Sequence, residues 1–152
     1  MITPEMREDN RMQTYTQGEA LSILTQSPPE QVKSLAEDLL PELGDVHVLQ
    51  SRTGLVMLPY VESAQGAVFH LGEVLVAEAH IQLPDGTQGY GMITGRDVTF
   101  AMAVAVLDAA LTAGVMTEAI NTFLHVQQQA QAAADDALLR QVEATRVEME
   151  TF

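Results

Sequence analysis

Residues 66 to 111 constrain the fold of this chain more than any other stretch. Gly66 marks the start of the stretch, Pro84-Asp85-Gly86 predicts a tight turn inside it, and Asp108 is the only charge between Val98 and Leu111. A helix that is apolar nearly all round is buried nearly all round. The stretch therefore predicts strands, a tight hairpin turn and one buried helix, on which the rest of the chain packs.

The strand before the turn, residues 72 to 83, has the period of two that is typical of a sheet with one covered face. The opposite face turns polar at Glu78. The strand after the turn, residues 88 to 94, contains Gly89 and Gly91, which predict a bulge or a close approach of another backbone. The apolar face of the first strand consists of Leu75, Ala77, Ala79, Ile81 and Leu83.

Two further strands are predicted upstream, at residues 45–51 and 55–61, on either side of a break at Thr53-Gly54. The second is apolar on both faces, which predicts a covered, central position, although Pro59 places its second half at an edge or a bulge. Residues 62–65 are predicted to form the connecting turn. Together with the hairpin, this gives an antiparallel sheet of about four to five strands.

Two helices are predicted before the sheet. The first spans residues 17–26. Ser27 and Glu30 have the spacing of a capping box for the second, which ends at Pro41 and Gly44.

A long helical segment, residues 115–148, follows the sheet. A continuous helix of this length would be roughly 50 Å long at 1.5 Å per residue. It therefore either breaks, near Gln127–Gln131 or Asp135-Asp136, or projects from the domain. The predicted class is α+β, with residues 1–15 as a flexible arm and residues 16–152 as one domain.

Composition excludes several classes of function. The 152 residues include no cysteine, and 21 acidic against 7 basic residues give a net charge of −14. Without cysteine this chain alone holds no disulfide, thiolate zinc site or iron–sulfur cluster. The acidity, spread along the chain, repels phosphate backbones and argues against nucleic-acid binding. The longest apolar run, Phe100–Leu107, is too short to span a bilayer, and no secretory signal is evident, so we expect a soluble cytoplasmic protein.

Two sets of residues could carry chemistry. Gly95-Arg96-Asp97 at a helix start could bind an anion, because backbone N–H groups and an arginine converge there; capping of the helix by Asp97 and pairing of Arg96 with a nearby acid explain the same residues without a ligand. Glu78 and His80 share a strand face and could begin a metal site, but such a site needs a third ligand. We predict no catalytic, cofactor-binding or metal-binding residue in this chain.

The order and spacing of several short motifs resemble the G subunit of the bacterial carbon–phosphorus lyase core complex, the PhnG family. The resemblance covers nearly the whole chain beyond about residue 11. The matching segments also contain Leu55-Val56, His70-Leu71, Thr87 and Tyr90, which adjoin the motif residues. The residues that carry the motifs are Thr53, Gly54, Phe69, Gly72, Glu73, Asp85, Gly86, Gly89, Gly95, Arg96, Asp97, Thr145 and Arg146.

The resemblance implies a non-catalytic structural subunit that assembles with H-, I- and J-type subunits, two copies of each, with the I-type subunit as the most direct partner. Such a complex uses ATP and a phosphonate to form a ribose 1-phosphonate 5-triphosphate, and the J-type subunit later cleaves the carbon–phosphorus bond. The alternative from the residues alone is a free-standing α+β module that binds a small anion at Gly95–Asp97.

The chain also departs from the family pattern. Relatives commonly carry basic residues in the second half of the long strand and after the Gly-Arg-Asp motif. Here those places hold Ala77-Glu78 and Val98-Thr99-Phe100, and Met149-Glu150 replaces an aromatic pair near the end. The sequence therefore resembles a divergent member whose charged contacts differ at these places.

Overall fold

The computed structural model describes residues 14–61 and 68–150, and the side chains of residues 14–57 and 72–145. The architecture is α+β, as predicted. The predicted arm up to residue 13 and the predicted turn at residues 62–65 lie outside the described residues. In chain order the elements are α1 (Gln17–Thr25), α2 (Pro29–Leu43), β1 (His47–Val61), β2 (Val68–Gln82), β3 (Gln88–Thr94), α3 (Val98–Ala113) and α4 (Thr117–Glu150).

The sheet is antiparallel with the order β1-β2-β3. The prediction of four to five strands was too high for the described part of the chain, which has three. The strand does not break at Thr53-Gly54, because Gly54 pairs with Val76 and keeps β1 continuous for 15 residues. The pairing register shifts between Leu58 and Pro59, so the proline lies at a bulge of an edge strand, as predicted.

Helix α3 lies across the sheet, and two glycines of β3 permit its close approach. A Cβ atom on Gly89 would lie 2.6 Å from the Cβ of Ala109, and one on Gly91 would lie 2.8 Å from the backbone nitrogen of Ala105. Real side chains do not fit at such distances. The predicted close approach of another backbone is therefore confirmed, and the approaching backbone is that of α3.

The core forms between α3, the covered face of β2 and the apolar stripes of the flanking helices. Of the eleven residues of α3 from Phe100 to Ala110, all except Met102 are buried. Ala77, Ala79 and Ile81 of β2 are fully buried against them. This arrangement matches the buried helix that the absence of charge predicted. The flanking helices contribute Ala20, Ile23 and Leu24 from α1 and Val32, Ala36, Leu39 and Leu43 from α2.

The boundary between α1 and α2 differs from the prediction. Pro28 occupies the N-cap position of α2 and the cap has no side-chain hydrogen bond. The buried hydroxyl of Ser27 donates instead to the carbonyl of Ile23 at 2.6 Å, so it completes the end of α1. Pro41 does not end α2 but lies in its last turn, and the helix continues to Leu43 before Gly44.

Helix α4 is continuous over 34 residues, so it does not break at either predicted place. Ile120 and Leu124 in its first part are fully buried. Beyond Gln131, every side chain that the structure describes is exposed, up to Thr145. The second half of α4 therefore projects from the core. None of the helices in the described ranges combines the length and apolarity needed to cross a membrane.

Candidate functional site

The turn formed by Gly95, Arg96 and Asp97 connects β3 to α3. Gly95 adopts a positive φ of 106°, and its N–H donates to the carbonyl of Leu75 at 2.8 Å. Oδ1 of Asp97 accepts from the backbone N–H of Phe100 at 3.0 Å and caps α3. This geometry lets the chain leave the sheet and start the buried helix within three residues.

The second oxygen of Asp97 joins this turn to α2. Nζ of Lys33 lies 2.8 Å from Oδ2 of Asp97. This hydrogen bond holds the pKa of Asp97 below its ordinary value and raises the pKa of Lys33. Arg96 is exposed and makes no salt bridge with another described side chain, so the pairing predicted for it is not observed. The ion pair at this turn joins Lys33 to Asp97 instead.

These contacts bear on the candidate anion site. The N-terminus of a helix attracts an anion through its free N–H groups and its dipole. In α3 a carboxylate of the chain itself occupies that position. An external phosphate or phosphonate would compete with the negative charge of Asp97, although Arg96 beside it remains accessible. The geometry therefore favours the structural interpretation of this turn.

Asp108 is the buried charge in the centre of α3, with only 4% of its surface exposed. Its Oδ2 accepts from the backbone N–H of Tyr90 at 2.9 Å, and both oxygens lie 3.2 Å from Nε2 of Gln17. Burial raises the pKa of Asp108, and the two hydrogen bonds oppose that shift. One carboxylate thus connects α3 to β3 and to α1. The sequence showed a lone acid in an apolar helix but not its partners.

The hairpin turn uses the motif residues Asp85 and Gly86 for its own geometry. The backbone N–H of Thr87 donates to Oδ1 of Asp85 at 2.9 Å, and this bond lowers the pKa of the carboxyl group. Gly86 has a φ of 93°, which favours glycine. The backbone N–H of Leu83 donates to the carbonyl of Thr87 at 2.7 Å, and this hydrogen bond closes the turn. These motif residues form the turn that sets the β2–β3 register.

Glu78 and His80 each contact another side chain. Oε1 of Glu78 lies 3.7 Å from Nη2 of Arg52, and Nε2 of His80 lies 2.9 Å from Oε1 of Gln88. The ring of His80 packs edge-on against Tyr90. Among the residues that the structure describes, no group of three or more metal-ligating side chains is placed to hold an ion. The third ligand that the metal hypothesis requires is therefore not supplied by this part of the chain.

The remaining motif residues lie on several elements. Thr53 and Gly54 are exposed on β1, and Phe69 lies in β2 opposite Tyr60. Gly72, with a φ of 144°, and the exposed Glu73 follow in β2. In α4, Thr145 donates its hydroxyl to the carbonyl of Gln141 and precedes Arg146. The motif residues thus lie at turns, in all three strands and near the end of a helix, and those whose side chains the structure describes do not form one chemical cluster.

The exposed large apolar side chains of the described residues include two groups of three. Leu55, Val56 and Met57 lie on β1, where the pattern had predicted a covered, central strand; this prediction was wrong, because β1 is an edge strand. Leu138, Leu139 and Val142 are exposed on α4. Exposed apolar side chains that lie close together mark an interaction site more often than a site of chemistry.

The comparison with known protein families covers all of these elements. A family model with the description "Phosphonate metabolism protein PhnG" matches residues 16–152. The match begins at the N-cap of α1 and extends through the sheet, the buried helix and all of α4. The chain therefore belongs to the PhnG family of phosphonate metabolism proteins.

Proposed function

We propose that this chain is a structural, non-catalytic subunit of a carbon–phosphorus lyase core complex in the cytoplasm. Two copies assemble with two copies each of the H-, I- and J-type subunits, and the I-type subunit is the direct partner. The complex forms a ribose 1-phosphonate 5-triphosphate from ATP and a phosphonate. The observation that carries the proposal is the exposure of apolar side chains on β1 and α4 of a member of this family.

The contacts of the acidic motif residues support a structural role. Asp85 holds the hairpin turn, and Asp97 caps α3 and pairs with Lys33. Asp108, the buried acid, connects three elements. Carboxylates with such contacts stabilise the fold and are not free to bind a substrate. On this proposal the cofactors and the reacting groups of the complex are held by the other subunits.

The sheet supports a docking role. β3 pairs with β2 only between Val76 and Gln82, so the part of β2 before Val76 pairs with β1 alone. A two-stranded ribbon is marginally stable in water by itself. This ribbon carries exposed apolar side chains at Leu55 and Met57. Burial of the ribbon against the I-type subunit would stabilise both the ribbon and the complex.

Co-expression of the chain with its H-, I- and J-type subunits tests this function. We expect the four chains to elute together from a size-exclusion column, with a mass that corresponds to two copies of each. The I-type subunit alone should also retain this chain. Elution of the chain as a separate peak from both mixtures would contradict the proposal.

The alternative, a free-standing module that binds a small anion at Gly95–Asp97, has less support because Asp97 fills the helix N-terminus. A thermal-shift measurement on the isolated chain distinguishes the two functions. Methylphosphonate, phosphate and ATP at millimolar concentration should leave the melting temperature of the wild type unchanged. A ligand-dependent rise that disappears in Arg96→Ala would favour the alternative.

A further inference from the structure

The face of α4 that packs on the core follows a regular spacing. Ile120, Leu124, Gln127 and Gln131 recur every three or four residues, as one side of a helix does. Ile120 and Leu124 are fully buried and Gln127 nearly so. Nε2 of Gln131 donates to the carbonyl of Ile23 at 3.0 Å. Gln131 is therefore the last residue of α4 whose side chain contacts the core in the described part of the chain.

The same spacing continues beyond the core. Ala134, Leu138 and Val142 follow Gln131 at intervals of three or four residues, and at about 100° per residue they fall on the same side of the helix. Leu138 is 60% exposed and Val142 is 56% exposed. We call Ala134, Leu138 and Val142 the tail stripe. It extends the core-packing face of α4 by about 12 Å along the part of the helix that the core does not cover.

Charge distinguishes the occupants that could cover the tail stripe. Between residues 132 and 145 the chain carries Asp135, Asp136 and Glu143 against the single base Arg140. Arg140 already pairs with Asp136 at 3.2 Å. Two tails packed side by side would bring like charges together, which disfavours a second copy of this chain. A basic surface would be complementary.

We propose that the tail stripe lies in an apolar groove of another subunit, and that lysine and arginine side chains rim this groove and face Asp135, which lies beside the stripe on the helix. The inference rests on the proposed function, since it names the surface by which this chain enters the complex. It assigns to α4 two roles on one continuous face: the first half packs on its own core, and the second half packs on the partner.

The test measures binding of purified variants to the assembled H-, I- and J-type subunits by biolayer interferometry. Leu138→Asp with Val142→Asp adds two acids to the tail stripe. Ala133→Asp with Ala144→Asp adds the same charge to exposed positions on the other side of the helix. We expect the stripe variant to lose on the order of 100-fold in affinity and the control to stay within about threefold. Circular dichroism checks that both variants keep the helix.

A third variant tests the rim. Asp135→Lys should slow association by about threefold or more at low salt, because the new charge would then repel a basic rim. Faster association of this variant would overturn the basic rim. A stripe variant that binds like the wild type would overturn the docking surface while leaving the proposed function intact.

Two outcomes concern the occupant itself. If the wild type fails to bind the three subunits at all, the proposed function and the inference both fall. If the wild type alone forms a dimer that the stripe variant does not form, the occupant is a second copy, and the proposal of a groove on another subunit is overturned.

Discussion

Asp108 is a buried acid whose hydrogen bonds connect α3 to β3 and to α1. Asp108→Ala would leave the backbone N–H of Tyr90 without its partner and would remove the contact with Gln17. We expect a loss of about 1–3 kcal/mol in the free energy of unfolding, because a buried donor left unpaired costs this much. Asp108→Asn keeps an acceptor for Tyr90 and should stay within about 1 kcal/mol of the wild type. Urea denaturation measures both variants; equal losses would contradict the assigned hydrogen bonds.

The ionisation of Asp108 gives stability a pH dependence of definite sign. Burial raises its pKa in the folded state, so the folded chain binds this proton more tightly than the unfolded chain. Its contribution to stability therefore falls as pH rises from the ordinary aspartate value near 4 through the raised value. Asp97 acts in the opposite direction: its lowered pKa adds stability above the ordinary value, and this is lost as pH falls.

A pH series isolates the contribution of Asp108. We expect the stability of the wild type relative to Asp108→Asn to decrease as pH rises from the ordinary aspartate value near 4, because the variant cannot ionise at this position. Urea denaturation of both proteins between about pH 4 and 8 supplies this difference in stability. The contributions of Asp97 and of most other charges are common to both proteins and cancel in it. A relative stability of the wild type that increases with pH would show that the hydrogen bonds outweigh burial.

Gly89 provides a test of the close approach between β3 and α3. In Gly89→Ala the new methyl group would lie 2.6 Å from Cβ of Ala109, so α3 must shift. We expect a loss of about 3 kcal/mol or more. Gly18→Ala is the matched control, because a methyl group at this position of α1 would meet no other atom within 4 Å. The control should gain about 0.5–1 kcal/mol; equal effects in chemical denaturation would contradict the packing.

At the scale of elements, strong local patterns predicted the structure correctly. The lack of charge in α3 predicted its burial, and Pro84-Asp85-Gly86 predicted the β2–β3 turn. Where two local hydrogen bonds compete for one side chain, the sequence does not decide between them. Ser27 could cap α2 or complete α1, and its buried hydroxyl completes α1. The apolar residues of β1 predicted a central strand. A run of apolar residues does not by itself show whether the strand is covered by other elements of its own chain or stays exposed, as β1 does.

The candidate site was less predictable than the fold. Spacing along the chain contains no distances between elements, so the ion pair between Lys33 and Asp97, 64 residues apart, could not be inferred from it. The partners of Asp108 likewise lie on α1 and β3. The projection of α4 was one of two predicted alternatives. Its Gln127–Gln131 tract continues the helix because Gln127 and Gln131 contact α2 and α1 through their side chains.

Helix α4 should divide into two parts that differ in stability. Removal of residues 134–152 should change the free energy of unfolding by less than about 1 kcal/mol, because the described side chains removed are exposed, and an isolated helix of this length is marginal in water. Removal from residue 117 onwards would also delete Ile120 and Leu124 and should prevent folding. Chemical denaturation compares the variants. A large loss from the shorter deletion would indicate that the second half of α4 contacts the core.

At the scale of the whole molecule, the charge of −14 acts on folding and on association in opposite directions. Repulsion among like charges destabilises the isolated folded chain, whereas the same charges attract a basic partner. Salt screens both effects, with a Debye length of about 30 Å at 0.01 M and about 8 Å at 0.15 M. The surface charge is therefore a cost to the isolated subunit that association with a basic surface would offset.

Sodium chloride should consequently stabilise the isolated chain and weaken its complex. Between about 0.02 and 0.5 M, the melting temperature of the chain should rise, while its association rate with the H-, I- and J-type subunits should fall by about tenfold or more. Asp135→Asn should reduce the salt dependence of association, because this acid faces the proposed basic rim. An association rate that is independent of salt would show that charge does not guide this chain to its partner.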